Sequence, residues 1–286
     1  EVCVIKNYKL TTRKPYVISI TFSFLLFLSL TEISTYYIYK ERIGSYTERV
    51  LNRSVSLIQQ IDEINDGYEM FDAYSPCSEL QLHAVRIALW PYALIKDISF
   101  ISNGAITCTA LWGKLPAPLL LNIYDRKVEK DNLTWFFGVL LENNVKADLL
   151  SNQKLAITIS PFAFNRFATD HEEKGFSAIV GNRDHSLHLF RFGELVDLLE
   201  EAKHDKSYQL GLITTQSCNG KHDICVMGGV KFPWVSFDNW LMILLIAFTS
   251  IVTGVLLGVV YNQKVARKQS LVSRLKNAIR NESLYL

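Results

Sequence analysis

The sequence predicts an α+β protein: two transmembrane helices flanking a mixed, mainly antiparallel α/β domain held on the far side of a membrane. Two long apolar runs near the ends of the 286 residues predict the helices. Short β-rich runs broken by turn residues predict the domain between them. A charge pattern that is basic at both ends and acidic in the middle predicts the side on which that domain lies.

The second apolar run, residues 240–260, reads WLMILLIAFTSIVTGVLLGVV and contains no charged residue. About 20 helical residues cross the roughly 30 Å hydrocarbon layer, so this run is a span rather than a buried core helix. Trp234 and Trp240 fall where interfacial aromatics gather. The first run, residues 16–39, is most apolar over 17–30 and follows Lys9, Arg13 and Lys14. It reads as an uncleaved anchor, because it is long and SLTEIS is a poor cleavage site. Glu32 lies within it, just before Tyr36, Tyr37 and Tyr39, and is expected to reach the outer headgroups.

Net charge is +2, but it is unevenly spread. Four cations and one anion precede Tyr16, and six cations and one anion follow Tyr261, which leaves the middle at −6. The positive-inside rule puts both ends in the cytoplasm. In a bacterial frame the membrane is the inner membrane and the middle is periplasmic. The expected organisation is a cytoplasmic N-terminus (1–15), a first span (16–39), a periplasmic domain (40–239), a second span (240–260) and a cytoplasmic tail (261–286). The lipid bilayer is thus a partner. Nucleic acid is not expected to be one, since the middle has no basic stripe interleaved with aromatics.

Within the domain, Ile43, Tyr46, Val50, Leu57, Ile61 and Ile64 recur at helical spacing. The first span therefore continues as a helix to about residue 68, with the stripe packing a core or, alternatively, forming a dimer seam. Ser75-Pro76 suggests an N-cap with proline at the first helical position, opening a second helix that runs towards Trp90. Residues 97–102 and 105–111 around Asn103-Gly104 predict a hairpin. Further strands are expected at 119–124, 135–141, 155–159, 176–180, 185–190, 208–214 and 224–230, and a helix at 193–203. His185 and His188 read as surface or sheet residues.

Of five cysteines, Cys3 lies on the cytoplasmic side, while Cys77, Cys108, Cys218 and Cys225 fall in the translocated domain. An even number in an oxidising compartment suggests two disulfides, with three pairings possible. Cys218 and Cys225 flank the turn Asn219-Gly220 and can meet locally, which leaves Cys77 with Cys108. Cys77 is expected in the first turn of the second helix, where the helix dipole favours thiolate and exchange. Both bridges could equally be inert staples. Cys218-x3-His222-x2-Cys225 has metal-like spacing but no clear fourth ligand, so no metal site is expected.

Ser75-Pro-Cys-Ser-Glu-Leu, then Val85-Arg-Ile-Ala-Leu, Ile95-Lys-Asp-Ile-Ser and Thr107-Cys-Thr, resemble the CSS-motif sensor domain. That family sits between two membrane helices ahead of bacterial EAL-type cyclic-di-GMP phosphodiesterases. The motif residues are Cys77, Ser78 and Cys108, with Thr109 where the family has serine. Ser273-Arg-Leu-Lys-Asn-Ala-Ile-Arg-Asn-Glu-Ser-Leu-Tyr-Leu286 is similar to the opening of an EAL domain and stops before its Tyr-Gln-Pro motif. Glu1 and this stop suggest a fragment, so no catalytic residue is assigned and no cofactor is expected in this chain. The resemblance implies Mg or Mn for the EAL domain.

The resemblance also implies that the periplasmic thiol pair senses redox state and that oxidation restrains the phosphodiesterase. Periplasmic thiol–disulfide oxidoreductases would then be partners. Ser250, Gly254 and Gly258 recur every four residues on the second span, where small residues allow close helix approach. EAL enzymes often dimerise, so these residues suggest a homodimer seam; the plainer reading packs them on the first span of the same chain. The rival function is the ligand-binding region of a two-span chemoreceptor or histidine kinase.

Overall fold

The computed structural model describes residues 2–130, 133–141, 145–164, 167, 175–183, 187–204, 211–232 and 240–282. His185, Trp234 and the last four residues of the EAL-like stretch lie outside this set. The chain divides into two compact units, Glu1–Ile38 with Pro233–Leu286, and Tyr39–Phe232.

The first unit contains the start of α1 (Val2–Asp66) and all of the C-terminal helix α5 (Trp240–Glu282). Segments Pro15–Asp66 and Trp240–Ile279 are each long and apolar enough to cross a membrane. Many of their apolar side chains are exposed, among them Phe22 and Leu25 on α1 and Phe248 and Leu256 on α5. Thr21, Thr31, Thr249 and Ser250 return their hydroxyl protons to carbonyls four residues earlier, which satisfies these polar groups within the helix.

The second unit holds two antiparallel sheets. The seven-stranded sheet has the order β3-β2-β1-β7-β6-β5-β4, and the four-stranded sheet β10-β11-β8-β9. The strands are β1 (Ile95–Ser102), β2 (Ala105–Thr109), β3 (Gly113–Leu120), β4 (Arg126–Lys130), β5 (Leu133–Leu140), β6 (Lys146–Ser151), β7 (Leu155–Ile159), β8 (Phe176–Gly181), β9 (His188–Phe192), β10 (Leu212–Asn219) and β11 (Ile224–Lys231). Short helices α2 (Tyr68–Asp72), α3 (Glu79–Leu89) and α4 (Val196–His204) complete it.

The apolar stripe of α1 is core. Ile43, Tyr46, Val50 and Leu57 are fully buried and join one cluster with residues of both sheets. Tyr46 packs edge-on against Phe176 of β8, and a side chain at Gly228 of β11 would strike Thr47. Further along α1, Gln60 accepts from the Leu94 amide at 3.3 Å and Asn65 accepts from Asn152 at 2.9 Å. One helix face thus serves the four-stranded sheet at one end and the seven-stranded sheet at the other. Burial pushes the Tyr46 hydroxyl up to about 12, so it stays neutral.

Several expected elements shift. The strand expected at 119–124 lies at Gly113–Leu120 and contains Pro116 and Pro118. It is an edge strand, where a missing amide proton goes unused. β4 and β6 were not expected: RKVEK and KADLLS are too charged to read as buried, yet β4 is the other edge and exposes alternate charges. The strands expected at 185–190 and 208–214 lie two to five residues later. The helix expected from Ser75 starts at Glu79, because Ser78 is its N-cap.

A disulfide-tied helix and the face behind it

The candidate site begins at the N-terminus of α3. The Ser78 hydroxyl accepts from the Gln81 amide at 3.2 Å, and the Gln81 side chain reaches back to accept from the Cys77 amide at 2.7 Å. This is a capping box displaced by one residue. Gln81 is buried and also donates to the Phe71 carbonyl at 2.9 Å, fixing the loop ahead of the helix. Cys77 therefore precedes the cap with φ +57°, outside the first helical turn. That corrects the expectation of a thiolate favoured by the helix dipole, which acts on groups at the first turn.

Cys77 is bonded to Cys108 of β2, with the Cα atoms 5.8 Å apart. Cys108 is fully buried and Cys77 half-buried, so one end of the bridge faces the protein interior and the other the surface. The Thr107 hydroxyl lies 3.4 Å from the Cys77 sulfur. A second tie runs parallel to the bridge: Arg86 of α3 donates to the Ala110 carbonyl at 2.6 Å and pairs with Glu79 at 2.8 Å. The helix is held to the end of β2 at two points, one covalent and one polar.

Thr109 turns to the opposite face of β2, as strand alternation requires. It is buried; its hydroxyl accepts from the Trp112 amide at 2.9 Å and donates to Asp97 of β1. Asp97 is also buried and accepts from the Leu111 amide at 2.9 Å. Burial pushes its carboxyl up to about 6 despite these opposing hydrogen bonds. Sequence reading had placed Asp97 and Gln81 in strand and helix without a role. The spacing Ser78-x-x-Gln81 was the available signal for the second.

Cys218 and Cys225 form the other disulfide, directly opposite one another in the β10–β11 register with Cα atoms 4.0 Å apart. Cys225 is buried and Cys218 exposed. The bridge closes a hairpin whose turn is already organised by the Asn219 side chain, which accepts from the Lys221 and His222 amides. Both sulfurs are thereby taken from the metal-like spacing around His222. Among the described residues no cluster of three His, Cys, Asp or Glu side chains could hold a metal ion.

The small residues of α5 pack within one chain. Ser250 is buried. A side chain at Gly254 would come within 2.6 Å of the Ile20 backbone, and one at Gly258 would strike the Tyr16 ring. The glycines let α5 approach α1 of the same protomer.

A model of the CSS motif domain associated with EAL matches residues 40–244. The chain belongs to this family. Within that range Cys77 and Cys108 form one covalent link, with Ser78 and Thr109 beside them. None of the curated proteins matches the chain. Among solved structures, the extracellular domain of vpHK1S-Z8, described as a histidine kinase, is 11% identical, with a TM-score of 0.40 over 70% of this chain and 96% of that one. A domain of a sensory box/GGDEF family protein from Vibrio parahaemolyticus is 9% identical, with a TM-score of 0.33 over 66% of this chain and 97% of that one. Both scores are too low to carry weight.

Proposed function

We propose that this CSS-motif chain is the membrane-anchored redox-sensing region of a cyclic-di-GMP phosphodiesterase. In this reading it lies in a bacterial inner membrane with residues 40–239 in the periplasm, and controls hydrolysis by an EAL domain on the cytoplasmic side. The observation that carries the reading is the Cys77–Cys108 bond, which ties α3 to β2 with one partner near the surface. The EAL association of the family favours this output over a chemoreceptor or histidine kinase. The Mg or Mn of such an output belongs to the EAL domain.

The chemistry is thiol–disulfide exchange. The thiolate of a periplasmic dithiol attacks the Cys77 sulfur, and the Cys77–Cys108 bond breaks as the new sulfur–sulfur bond forms. Cys108 leaves as a thiolate and takes a proton. The donor's second thiol then displaces Cys77, leaving two protein thiols and an oxidised donor. The N-terminal end of α3 is released while Arg86 still holds its other end to Ala110. A helix freed at one end and anchored at the other is a two-state element that the rest of the protein can read.

The test uses the full-length protein in cells. Cys77→Ala and Cys108→Ala should each lower cyclic-di-GMP, because the restraint is lost, while Cys218→Ala/Cys225→Ala should not. Unchanged cyclic-di-GMP in both of the first two variants would sink the redox switch.

A further inference from the structure

Behind the motif, on the face of the seven-stranded sheet that does not pack on α1, lies a cavity of about 480 Å³. β7 stops pairing with β6 at Leu149↔Thr158, while β6 continues beside β5 as far as Lys146. The strands part there, and the cavity reaches round the end of β7 to Ile159 and Phe164 on the other face. Its floor is a strip of small polar side chains on three adjacent strands. Thr109 is paired with Ser99 across β1–β2, and Thr158 with Asp97 across β1–β7. Strand alternation therefore sets all four on one face, with Leu149 beside Thr158, and turns Asp148 to the opposite face. Leu149, Ile106, Leu115 and Leu119 form apolar wall, while Leu111 and Trp112 stay half exposed at the rim. The volume is that of an ordinary small-molecule site.

Hydrogen bonding divides the four floor residues. Thr109 and Asp97 are satisfied by each other and by the Trp112 and Leu111 amides. Ser99 and Thr158 are not. They are only 3% and 7% exposed, yet among the described residues neither hydroxyl is in a hydrogen bond. Neither oxygen is sealed off, in contrast to Nε2 of His222, so a small molecule in the cavity can meet both. A buried hydroxyl without a partner is costly, and each offers one donor and two acceptor positions. We propose that the cavity binds a small uncharged molecule with an apolar body and a head that both donates and accepts hydrogen bonds, of the carboxamide kind. The head lies at Ser99 and Thr158 and the body against Leu115 and Leu149. The neutral charge follows from the floor. Its one ionisable group, Asp97, already accepts from Thr109 and Leu111, and an anionic head would lie against that carboxyl. Of the lining cations, Lys146 is bonded to Asp125 at 2.8 Å, and Lys96 is exposed. The site does not depend on the redox reading. It shares β2 with the disulfide, since Thr109 faces the cavity and its neighbour Cys108 the bridge.

The experiment compares three probes of one shape on the whole chain in lipid nanodiscs: 3-phenylpropanamide, 3-phenylpropanoate and 3-phenylpropylamine. Tryptophan fluorescence, with Trp112 at the rim, and the melting temperature report binding, each taken as the difference from Ala147→Phe. That variant keeps the four polar side chains and fills the lining, so the difference removes any effect of a probe on the lipid. The amide should bind and raise the melting temperature, and the acid and the amine should not. Ser99→Ala/Thr158→Val removes both hydroxyls at nearly constant shape. Without a probe it should be no less stable than wild type, because no bonded hydroxyl is lost. It should bind the amide about tenfold more weakly, the cost of the lost head-group contacts. Should Ala147→Phe fail to fold, the double variant serves as the reference. No response to the amide overturns the proposal. So does an equal response to the acid or the amine, amide binding unchanged in the double variant, or a double variant less stable than wild type.

Discussion

Removing the Cys77–Cys108 bridge should destabilise the unit Tyr39–Phe232 by about 3.7 kcal/mol. The two residues are 31 apart, and closing a loop of that length removes about 3.7 kcal/mol of chain entropy from the unfolded state at 25 °C. The Cys218–Cys225 loop, with a separation of 7, gives only about 2.5 kcal/mol on the same basis. The native contacts refine the figure. Cys108 is fully buried, so Cys108→Ala also leaves a small void worth about 1 kcal/mol. Cys77 is half-buried, and its truncation adds little. In Cys77→Ala the remaining Cys108 thiol is a small apolar group in an apolar place and is tolerated. Either substitution opens the same loop, so the double variant should lose about as much as Cys108→Ala alone, far from the sum of the single losses.

The assay is urea unfolding read by pulse proteolysis, in a Cys218→Ala/Cys225→Ala background so that reductant touches one bridge only. Dithiothreitol should lower this background to the level of the Cys77→Ala variant and leave that variant unmoved. A double variant that loses the sum of both singles, or a single loss below about 1 kcal/mol, would refute the reasoning, because the chain-entropy term would then not be the dominant one.

Asp97 should make stability fall as pH rises. Its folded carboxyl sits at about 6, above the ordinary value near 4 that it regains on unfolding, so the folded state holds the extra proton between those values. About 3 kcal/mol should be lost between pH 4 and pH 7 in wild type relative to Asp97→Asn, measured as the difference between their denaturation midpoints; equal pH profiles would contradict it. Where α5 meets α1, Gly254→Ala should lower the melting temperature in nanodiscs more than Gly258→Ala, because the first meets the Ile20 backbone and the second a Tyr16 ring that can turn. Equal shifts would argue against close packing of the two helices. At the helix cap, Ser78→Ala should cost about 1 kcal/mol, and Gln81→Ala about 2 kcal/mol because it strips partners from both Cys77 and Phe71, each read from urea midpoints.

Much of the fold was legible because several segments carry a strong period or a strong turn. The α1 stripe repeats at helical spacing and every member is buried. The β1–β2 hairpin was announced by Asn103-Gly104, and both residues adopt positive φ, as a tight turn of this kind requires. β4 was hidden because an edge strand can expose Lys127 and Glu129 on its outer face and still pair. The start of α3 was misread because two signals compete within seven residues. Ser75-Pro76 fits a cap followed by proline, and Ser78-x-x-Gln81 fits a capping box. The second prevails because Gln81 satisfies two backbone groups at once.

The cavity was illegible for a different reason. A sequence shows which side chains are present, whereas an empty volume depends on which small ones lie side by side. Ser99, Thr109 and Thr158 are separated by up to 59 positions and become neighbours only through the β1–β2 and β1–β7 registers. The same dependence explains the motif. Its second half spans both faces of one strand, with Cys108 towards α3 and Thr109 towards Asp97. Its first half does two jobs in consecutive residues, with Cys77 bonding to β2 and Ser78 capping the helix. A hydroxyl next to each cysteine therefore has a physical purpose: one fixes where the helix begins, and the other holds the carboxylate on the reverse face. Serine suffices for the cap, and threonine for the strand, where a β-branched side chain packs well against its neighbours. A shift of β2 on reduction would move Thr109 with it. The two faces of that strand are then one mechanical unit, and Thr109→Val, which removes the hydroxyl at constant shape, separates the cavity from the bridge without touching a sulfur.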